Sequence, residues 1–179
     1  ATSVPVSLEN VTALASSSLS NLGTLATAIQ ASEFSNATGL TTIAVSDANI
    51  DGAVLLARID SFDDINGGST TNMTMPSGAM VNLSSESEVD ELLSDETGSR
   101  LTIDDQHVTV DTNTISVGRA NLLAATTTGT VTATITTTES VDSLKTLYNT
   151  SETHVYTIVI NSSDATGSTA VEFNTINNA

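Results

Sequence analysis

Residues 60–68 form an acidic polar segment that contains the side chains best suited to hold a cation. Asp60, Asp63 and Asp64 supply carboxylates, and Asn66 adds an amide oxygen. Calcium takes about six to eight hard oxygen ligands, and a single loop often provides most of them. We therefore predict a polar turn in which Asp60, Asp63, Asp64 and Asn66 are candidate calcium ligands. The alternative is a solvated acidic turn, because the spacing does not match an EF-hand loop.

A Ser-His-Asp catalytic arrangement would have to use one of two histidines. His107 and His154 are far apart in the sequence, and each lies in or beside a strand-like run. No Gly-x-Ser-x-Gly nucleophile elbow, dinucleotide fingerprint or Gly-rich phosphate loop accompanies them. We therefore predict that the protein is not an enzyme, and that His107 is a surface residue.

The charge balance excludes several classes of partner. The net charge is -17, because 21 acidic residues face only four basic ones. Nucleic acid binding needs Lys and Arg to neutralise phosphates, so it is excluded, and adsorption to an anionic membrane is disfavoured. No segment approaches the roughly 18 apolar residues of a membrane span. The absence of cysteine excludes disulfides, thiol catalysis and Cys-based zinc sites.

The clearest structural pattern lies in residues 101–160, where period-two runs alternate with short helical runs. A polar turn is predicted over residues 111–114, between a strand and a helix. The last run, residues 155–160, is apolar on both faces, as in a buried parallel strand. The predicted strands are residues 108–110, 131–135 and 155–160, and the predicted helices are residues 120–125 and 139–148.

Residues 40–100 show the same alternation less clearly. A strand at residues 40–45 precedes a helix that Asp47 or Asn49 would cap. Residues 73–83 are apolar enough for a strand, which Pro76 and Gly78 should break into a bulge or hairpin. Residues 85–88 form a capping box before a further helix.

The N-terminal region differs from the remainder of the chain. Residues 4–8 predict a short edge strand. Apolar residues from Leu14 to Ile29 recur at near-helical spacing, and Asn10 or Thr12 could cap this helix. We therefore divide the chain into an N-terminal cap region, residues 1–39, and a repeated strand–helix array, residues 40–179.

Together these patterns predict an α/β fold. Strand–helix units would stack as a parallel or mostly parallel sheet, in a solenoid-like array with a period of about 50 residues for a pair of units. The alternative is a β-sandwich adhesin domain in which the predicted helices are loops.

Residues 117–135 read VGRANLLAATTTGTVTATI, and residues 155–160 read VYTIVI, followed at a distance by EFNTIN. These segments resemble repeats in very large secreted bacterial surface proteins, frequent in cyanobacteria, of adhesin-like or S-layer-like type. The resemblance covers residues 101–179, is fainter over residues 40–100 and is absent from residues 1–39. It implies export to the cell surface, a scaffold or adhesive role, and no catalysis. Many such proteins carry calcium-binding Gly-rich nonapeptides, but here Gly67-Gly68-Ser69-Thr70 lacks the third Gly and the Asp.

The end of the chain predicts how the protein would associate. The last unit ends in a predicted helix near residues 173–176, with no strand after it. An open sheet edge is a template for pairing with another chain. We therefore predict self-association into a head-to-tail homopolymer, or continuation by neighbouring repeats of a longer chain, at an extracellular or cell-surface location. The functional alternative is a calcium-dependent adhesion or ligand-binding domain.

Overall fold

Short elements joined by short turns make up most of the chain. The computed structural model describes residues 6–8, 10–31, 34–35, 39–66, 71–147 and 154–160. The predicted helix near residues 173–176 and the Gly67-Gly68-Ser69-Thr70 segment lie outside these ranges. The strands are β1 (Val6–Ser7), β2 (Ala13–Ser17), β3 (Phe34–Ser35), β4 (Thr42–Val45), β5 (Asn49–Asp51), β6 (Asn72–Thr74), β7 (Met80–Leu83), β8 (Leu101–Thr102), β9 (His107–Ile115), β10 (Val131–Ile135) and β11 (Val155–Ile158). The helices are α1 (Leu19–Gln30), α2 (Gly52–Ile65), α3 (Glu86–Thr97), α4 (Val117–Thr126) and α5 (Val141–Leu144).

The strands pair in parallel wherever the structure describes a pair. A four-stranded sheet has the order β2-β4-β6-β8, and a five-stranded sheet has the order β5-β7-β9-β10-β11. Strands β1 and β3 form a separate pair. The predicted α/β class with parallel sheets is confirmed. The β-sandwich alternative is not the fold observed, because helices occupy the places where it required loops.

The chain follows the same path three times. A strand of the four-stranded sheet leads to a strand of the five-stranded sheet and then to a helix, as in β4-β5-α2, β6-β7-α3 and β8-β9-α4. Each helix returns the chain to the start of a parallel strand, as parallel pairing requires. Successive helices pack on one another from α1 to α4.

Branched apolar side chains fill the interior in register. Ile43 pairs with Met73, which in turn pairs with Leu101 in the four-stranded sheet. In the five-stranded sheet, the pairing places four buried residues side by side. These are Ile50, Val81, Val108 and Val131. Because β-branched residues pack well on a pleated surface, this core forms with few aromatic side chains.

The later turns of the path are shorter than the earlier ones. Thr42 pairs with Asn72, thirty residues later, whereas Val108 pairs with Val131, 23 residues later. In the shorter pass from β9 to β10, residues 127–130 occupy the place that a strand of the four-stranded sheet occupies in the earlier passes. The Thr128 amide donates there to the Asp104 carbonyl at 2.8 Å. The five-stranded sheet therefore extends beyond β8, the last strand of the four-stranded sheet.

Hydroxyl and carboxylate side chains cap the N-termini of the helices. Ser85 accepts a hydrogen bond from the Glu88 amide, and the Glu88 carboxylate accepts one from the Ser84 amide at 2.8 Å. This confirms the predicted cap of α3. The caps predicted for α1 and α2 are wrong: Ser18 caps α1, and Asp51 caps α2. Asp47 instead accepts from the Leu19 amide at 2.7 Å, so it supports α1 from the neighbouring turn.

Two predicted elements in the first half of the chain need correction. The helix predicted from Leu14 to Ile29 is confirmed as α1 from Leu19 onward, but its predicted start is wrong, because Leu14 lies in strand β2 and pairs with Ile43 in the four-stranded sheet. The predicted bulge or hairpin at residues 73–83 is a corner between two sheets. β6 and β7 lie in different sheets, and Gly78 between them has a φ of 67°, which favours glycine.

Two predicted elements in the second half also differ. The polar turn at residues 111–114 is part of strand β9, in a bulge opposite Thr132 and Thr134. The helix predicted over residues 139–148 is only the single turn α5. No helix in the described ranges is long and apolar enough to cross a membrane.

Candidate functional site

The residues predicted to bind calcium lie in a helix rather than a turn. α2 continues to Ile65, so Asp60, Asp63 and Asp64 lie in its last two turns and Asn66 is its C-cap. The apolar face of α2 explains the difference. Ile59 and Phe62 are buried and continue the helical spacing.

These four residues do not converge on one point. The Asp60 and Asp63 carboxylates lie 3.4 and 2.6 Å from Nη1 of Arg100, and Asp64 is exposed. The Asn66 amide is buried and donates to the Leu40 carbonyl at 2.7 Å. Within the described ranges, no three His, Cys, Asp or Glu side chains lie close enough together to hold a metal ion. The predicted turn is wrong, and calcium binding by these residues stays a prediction.

Arg100 is the centre of a network that sequence reasoning missed. Its guanidinium forms an ion pair with Asp95 of α3, which is 0% exposed, as well as with Asp60 and Asp63 of α2. Hydrogen bonding to Asp63 and then to Asp95 raises the pKa of Arg100. Burial raises the pKa of Asp95, although Arg100 opposes that shift. The network therefore joins two helices around one cation, with a buried carboxylate that depends on it.

Arg119 forms a second, more exposed bridge between helices. Its Nε and Nη2 atoms each lie 2.7 Å from a carboxylate oxygen of Asp90, in a bidentate pair from α4 to α3. This hydrogen bonding lowers the pKa of Asp90. Asp90 is 53% exposed, so this bridge contributes less than the Arg100 network. A rare basic residue in a strongly acidic chain was the available sequence signal for both bridges.

The two histidines contact backbone amides. Nδ1 of His107 accepts a hydrogen bond from the Thr130 amide at 2.9 Å, and Nδ1 of His154 accepts one from the Val131 amide at 3.2 Å. Both contacts lie at the start of β10. His107 is half-buried, so it lies partly at the surface, and its ring also binds a backbone amide.

The outer edge of β11 is the most distinctive surface of the five-stranded sheet. β11 pairs with β10 on one side, and no described strand pairs with its other side. Burial falls sharply across this pair. Ala133 and Ile135 of β10 are buried, whereas their partners Tyr156 and Ile158 are only half-buried.

The outward side chains near this edge are exposed, and two of them are apolar. Val155 is 56% exposed and Val159 is 51% exposed. The prediction that residues 155–160 are buried on both faces is therefore wrong. The apolar pattern instead belongs to a strand at the edge of the described sheet, where the apolar side chains are only partly covered.

Comparisons with known proteins identify no relative that could assign a function to this edge. No protein-family model, curated protein or solved structure matches the chain. The candidate site is therefore defined by the β11 edge and its supporting contacts with β10.

The Tyr156 hydroxyl beside this edge should destabilise the folded protein. Its hydroxyl is buried, and no described residue is a hydrogen-bond partner. Because an unsatisfied buried polar group costs about 1–3 kcal/mol, we expect Tyr156→Phe to raise the free energy of unfolding by about 1 kcal/mol. Urea unfolding of the two proteins at neutral pH measures this difference, and a destabilised variant would contradict it.

The same substitution should also change the response to alkali. Burial raises the pKa of Tyr156 to about 12, from 10.0. The neutral phenol is therefore favoured over the phenolate in the folded state. Below pH 10.0 the phenol is neutral in both states, and the free energy of unfolding falls as the pH rises from 10.0 toward 12. Tyr156→Phe should lose less stability than the wild type over that range.

Proposed function

We propose that the protein is an extracellular structural or adhesive module, built as a solenoid-like stack and extended through the edge of β11. The observation that carries this proposal is that no described strand pairs with the outer side of β11, where Val155 and Val159 are exposed. Extension would come from a second copy of the chain or from neighbouring repeats of a longer protein.

The path of the chain supports a solenoid-like stack. In the three repeated passes, β4-β5-α2, β6-β7-α3 and β8-β9-α4, the chain adds one strand to each sheet and one helix beside the previous helix, so each pass packs against the one before it. In such stacks each unit buries its apolar face against the next one, and the last unit needs a cap or a continuation. The half-buried Tyr156 and Ile158 lie in the last strand that the structure describes.

The parallel sheets support addition at the edge rather than a closed dimer. A strand added parallel to β11 would extend the same columns of inward residues, for example the column of Ile115, Ile135 and Ile158. Such addition uses different surfaces on the two partners. Head-to-tail contacts of this kind form open filaments when the rotation does not close.

Composition and resemblance support a structural role outside the cell. The chain has four basic residues and no cysteine, and its Thr-rich segments resemble those of secreted surface proteins. The net charge of -17 also means that copies repel one another at low ionic strength. Association should therefore depend on salt.

The test is assembly as a function of salt, with matched charge variants. Raising the salt from about 0.01 M to about 0.15 M shortens the Debye length from about 30 Å to about 8 Å, so we expect larger species to form. Analytical ultracentrifugation measures this. Val159→Glu should block assembly, whereas Val54→Glu should not, although it adds the same charge at an exposed position on α2.

Three outcomes would decide against this proposal or refine it. A wild-type chain that stays monomeric at every salt concentration contradicts edge assembly by copies of this chain. Equal effects of Val54→Glu and Val159→Glu would show that charge alone, and not the β11 edge, controls association. A response to calcium that sodium at equal ionic strength does not reproduce would favour calcium-dependent adhesion instead.

A further inference from the structure

Both histidines use the same ring atom to bind consecutive amides. His107 begins β9 and His154 precedes β11, so the imidazoles approach the start of β10 from both neighbouring strands. Nδ1 of His107 accepts from the Thr130 amide at 2.9 Å, and Nδ1 of His154 accepts from the Val131 amide at 3.2 Å. An Nδ1 atom can accept only while it carries no proton, so both rings bind as the Nε2–H tautomer.

The position of His154 makes its contact part of the sheet. Thr132 pairs with Val155, which places His154 next to Val131 in the preceding register position. Val131 is buried and belongs to the column that contains Ile50, Val81 and Val108. A side-chain nitrogen thus binds an amide at the point where β11 joins β10.

We propose that His154 forms an acid-sensitive latch that holds β11 to the start of β10, opposite the contact that His107 makes from β9, and that protonation of His154 releases the β11 edge. A proton on Nδ1 converts the acceptor into a donor that faces an amide donor. The hydrogen bond is then lost, and a positive charge is left beside the buried end of the sheet. This inference rests on the proposed function, because it assigns regulation to the same edge.

The surroundings of the latch favour neutral imidazole at His154. On β11, the ring of Tyr156 lies 6.1 Å from that of His154 between centroids, and β10 presents the uncharged Thr132. In the turn before β9, Asp105 is held by Ser77 and Gln106, and Asp104 is exposed. Burial lowers the pKa of His154, and no charged group contributes to that shift.

The direction of the pH effect follows from this. Above the unfolded-state value of 6.5, His154 is neutral in both the folded and unfolded states, and the latch is intact. As the pH falls below 6.5, the unfolded or released state takes up the proton more readily than the folded state. The latch therefore weakens on mild acidification, before most carboxylates are protonated.

The experiment is amide hydrogen exchange by NMR on the monomer at low salt, at about pH 7.5 and about pH 5.5. After correction for intrinsic rates, exchange of the Val131 amide should rise about threefold to tenfold in the wild type at the lower pH. His154→Asn keeps an acceptor oxygen near the Nδ1 position but does not titrate, so its Val131 amide should be insensitive to pH. His154→Ala removes the acceptor, and that amide should exchange fast at both pH values.

The pattern across the variants decides the inference. A wild-type Val131 amide that responds to pH no more than it does in His154→Asn overturns the latch. So does a His154→Ala variant that protects this amide as well as the wild type. Because the monomer is measured, failure of the latch is distinguishable from failure of the assembly proposal, which is tested by ultracentrifugation.

Discussion

Arg100→Met is expected to lower the free energy of unfolding by about 3 kcal/mol, which is a large share of the stability of a domain of this size. Arg100 is the partner of Asp95, whose side chain is 0% exposed. Removing the cation leaves an ionised carboxylate buried without a partner, a change that typically costs about 3–5 kcal/mol. The lower end applies because Arg100 itself is 28% exposed, so water can partly replace it.

Arg119→Met is the matched control for this prediction. Arg119 also bridges two helices through carboxylates, but its partner Asp90 is 53% exposed. Losing an exposed ion pair costs about 1 kcal/mol or less. Equal losses for the two variants, measured by urea unfolding at neutral pH, would show that burial of Asp95 does not set the cost.

A second substitution and a change of pH should both restore the Arg100→Met protein. Asp95→Asn in that background removes the buried charge and should recover most of the lost stability. Burial raises the pKa of Asp95 above the ordinary 3.8, so the ionised form is the costly one. The penalty should therefore shrink as the pH falls from neutral toward 3.8, and a penalty that is constant over this range contradicts the assignment.

Local sequence patterns predicted the fold class because they report on single elements. The alternation at residues 131–135 and the capping box at residues 85–88 correspond to β10 and to the start of α3. Parallel pairing also followed, because helices separate the strands along the chain. The errors arose where one pattern fits two structures. Leu14 matches a helical stripe, but its pairing with Ile43 places it in a strand.

The candidate site could be predicted only in part, since it depends on contacts between distant residues. The acidic residues near position 60 suggested a cation, but the cation that contacts them is Arg100, 37 positions from Asp63. The histidines were visible in the sequence, whereas their shared role depends on amides 23 positions away. An apolar run at residues 155–160 does not distinguish a buried strand from an edge strand, because only neighbouring strands make that difference.

Gly129→Ala is expected to destabilise the fold by about 3 kcal/mol or more, through a backbone clash at the turn that leads into β10. A methyl group at this position would lie 2.3 Å from the Gln106 carbonyl oxygen and 2.9 Å from that of Asp105. These are main-chain atoms, so no rotation of a side chain can relieve the overlap. The same turn is held by Thr127, whose hydroxyl donates to the Gln106 carbonyl at 2.6 Å and accepts from the Gly129 amide at 2.9 Å. Displacing it would therefore break hydrogen bonds as well.

Gly118→Ala, eleven positions earlier, separates this steric effect from a general effect of replacing glycine. Gly118 lies in α4, and a methyl group there would meet only the Ser116 hydroxyl, at 3.9 Å. Because alanine is the better helix former, this change should stabilise the fold by up to about 1 kcal/mol. The two substitutions add the same atom in the same unit, so opposite signs are expected in thermal or urea unfolding. A Gly129→Ala protein within about 0.5 kcal/mol of the wild type would show that the chain can open this turn at little cost. The close approach of residues 127–130 to β9 would then not determine the short connection into β10.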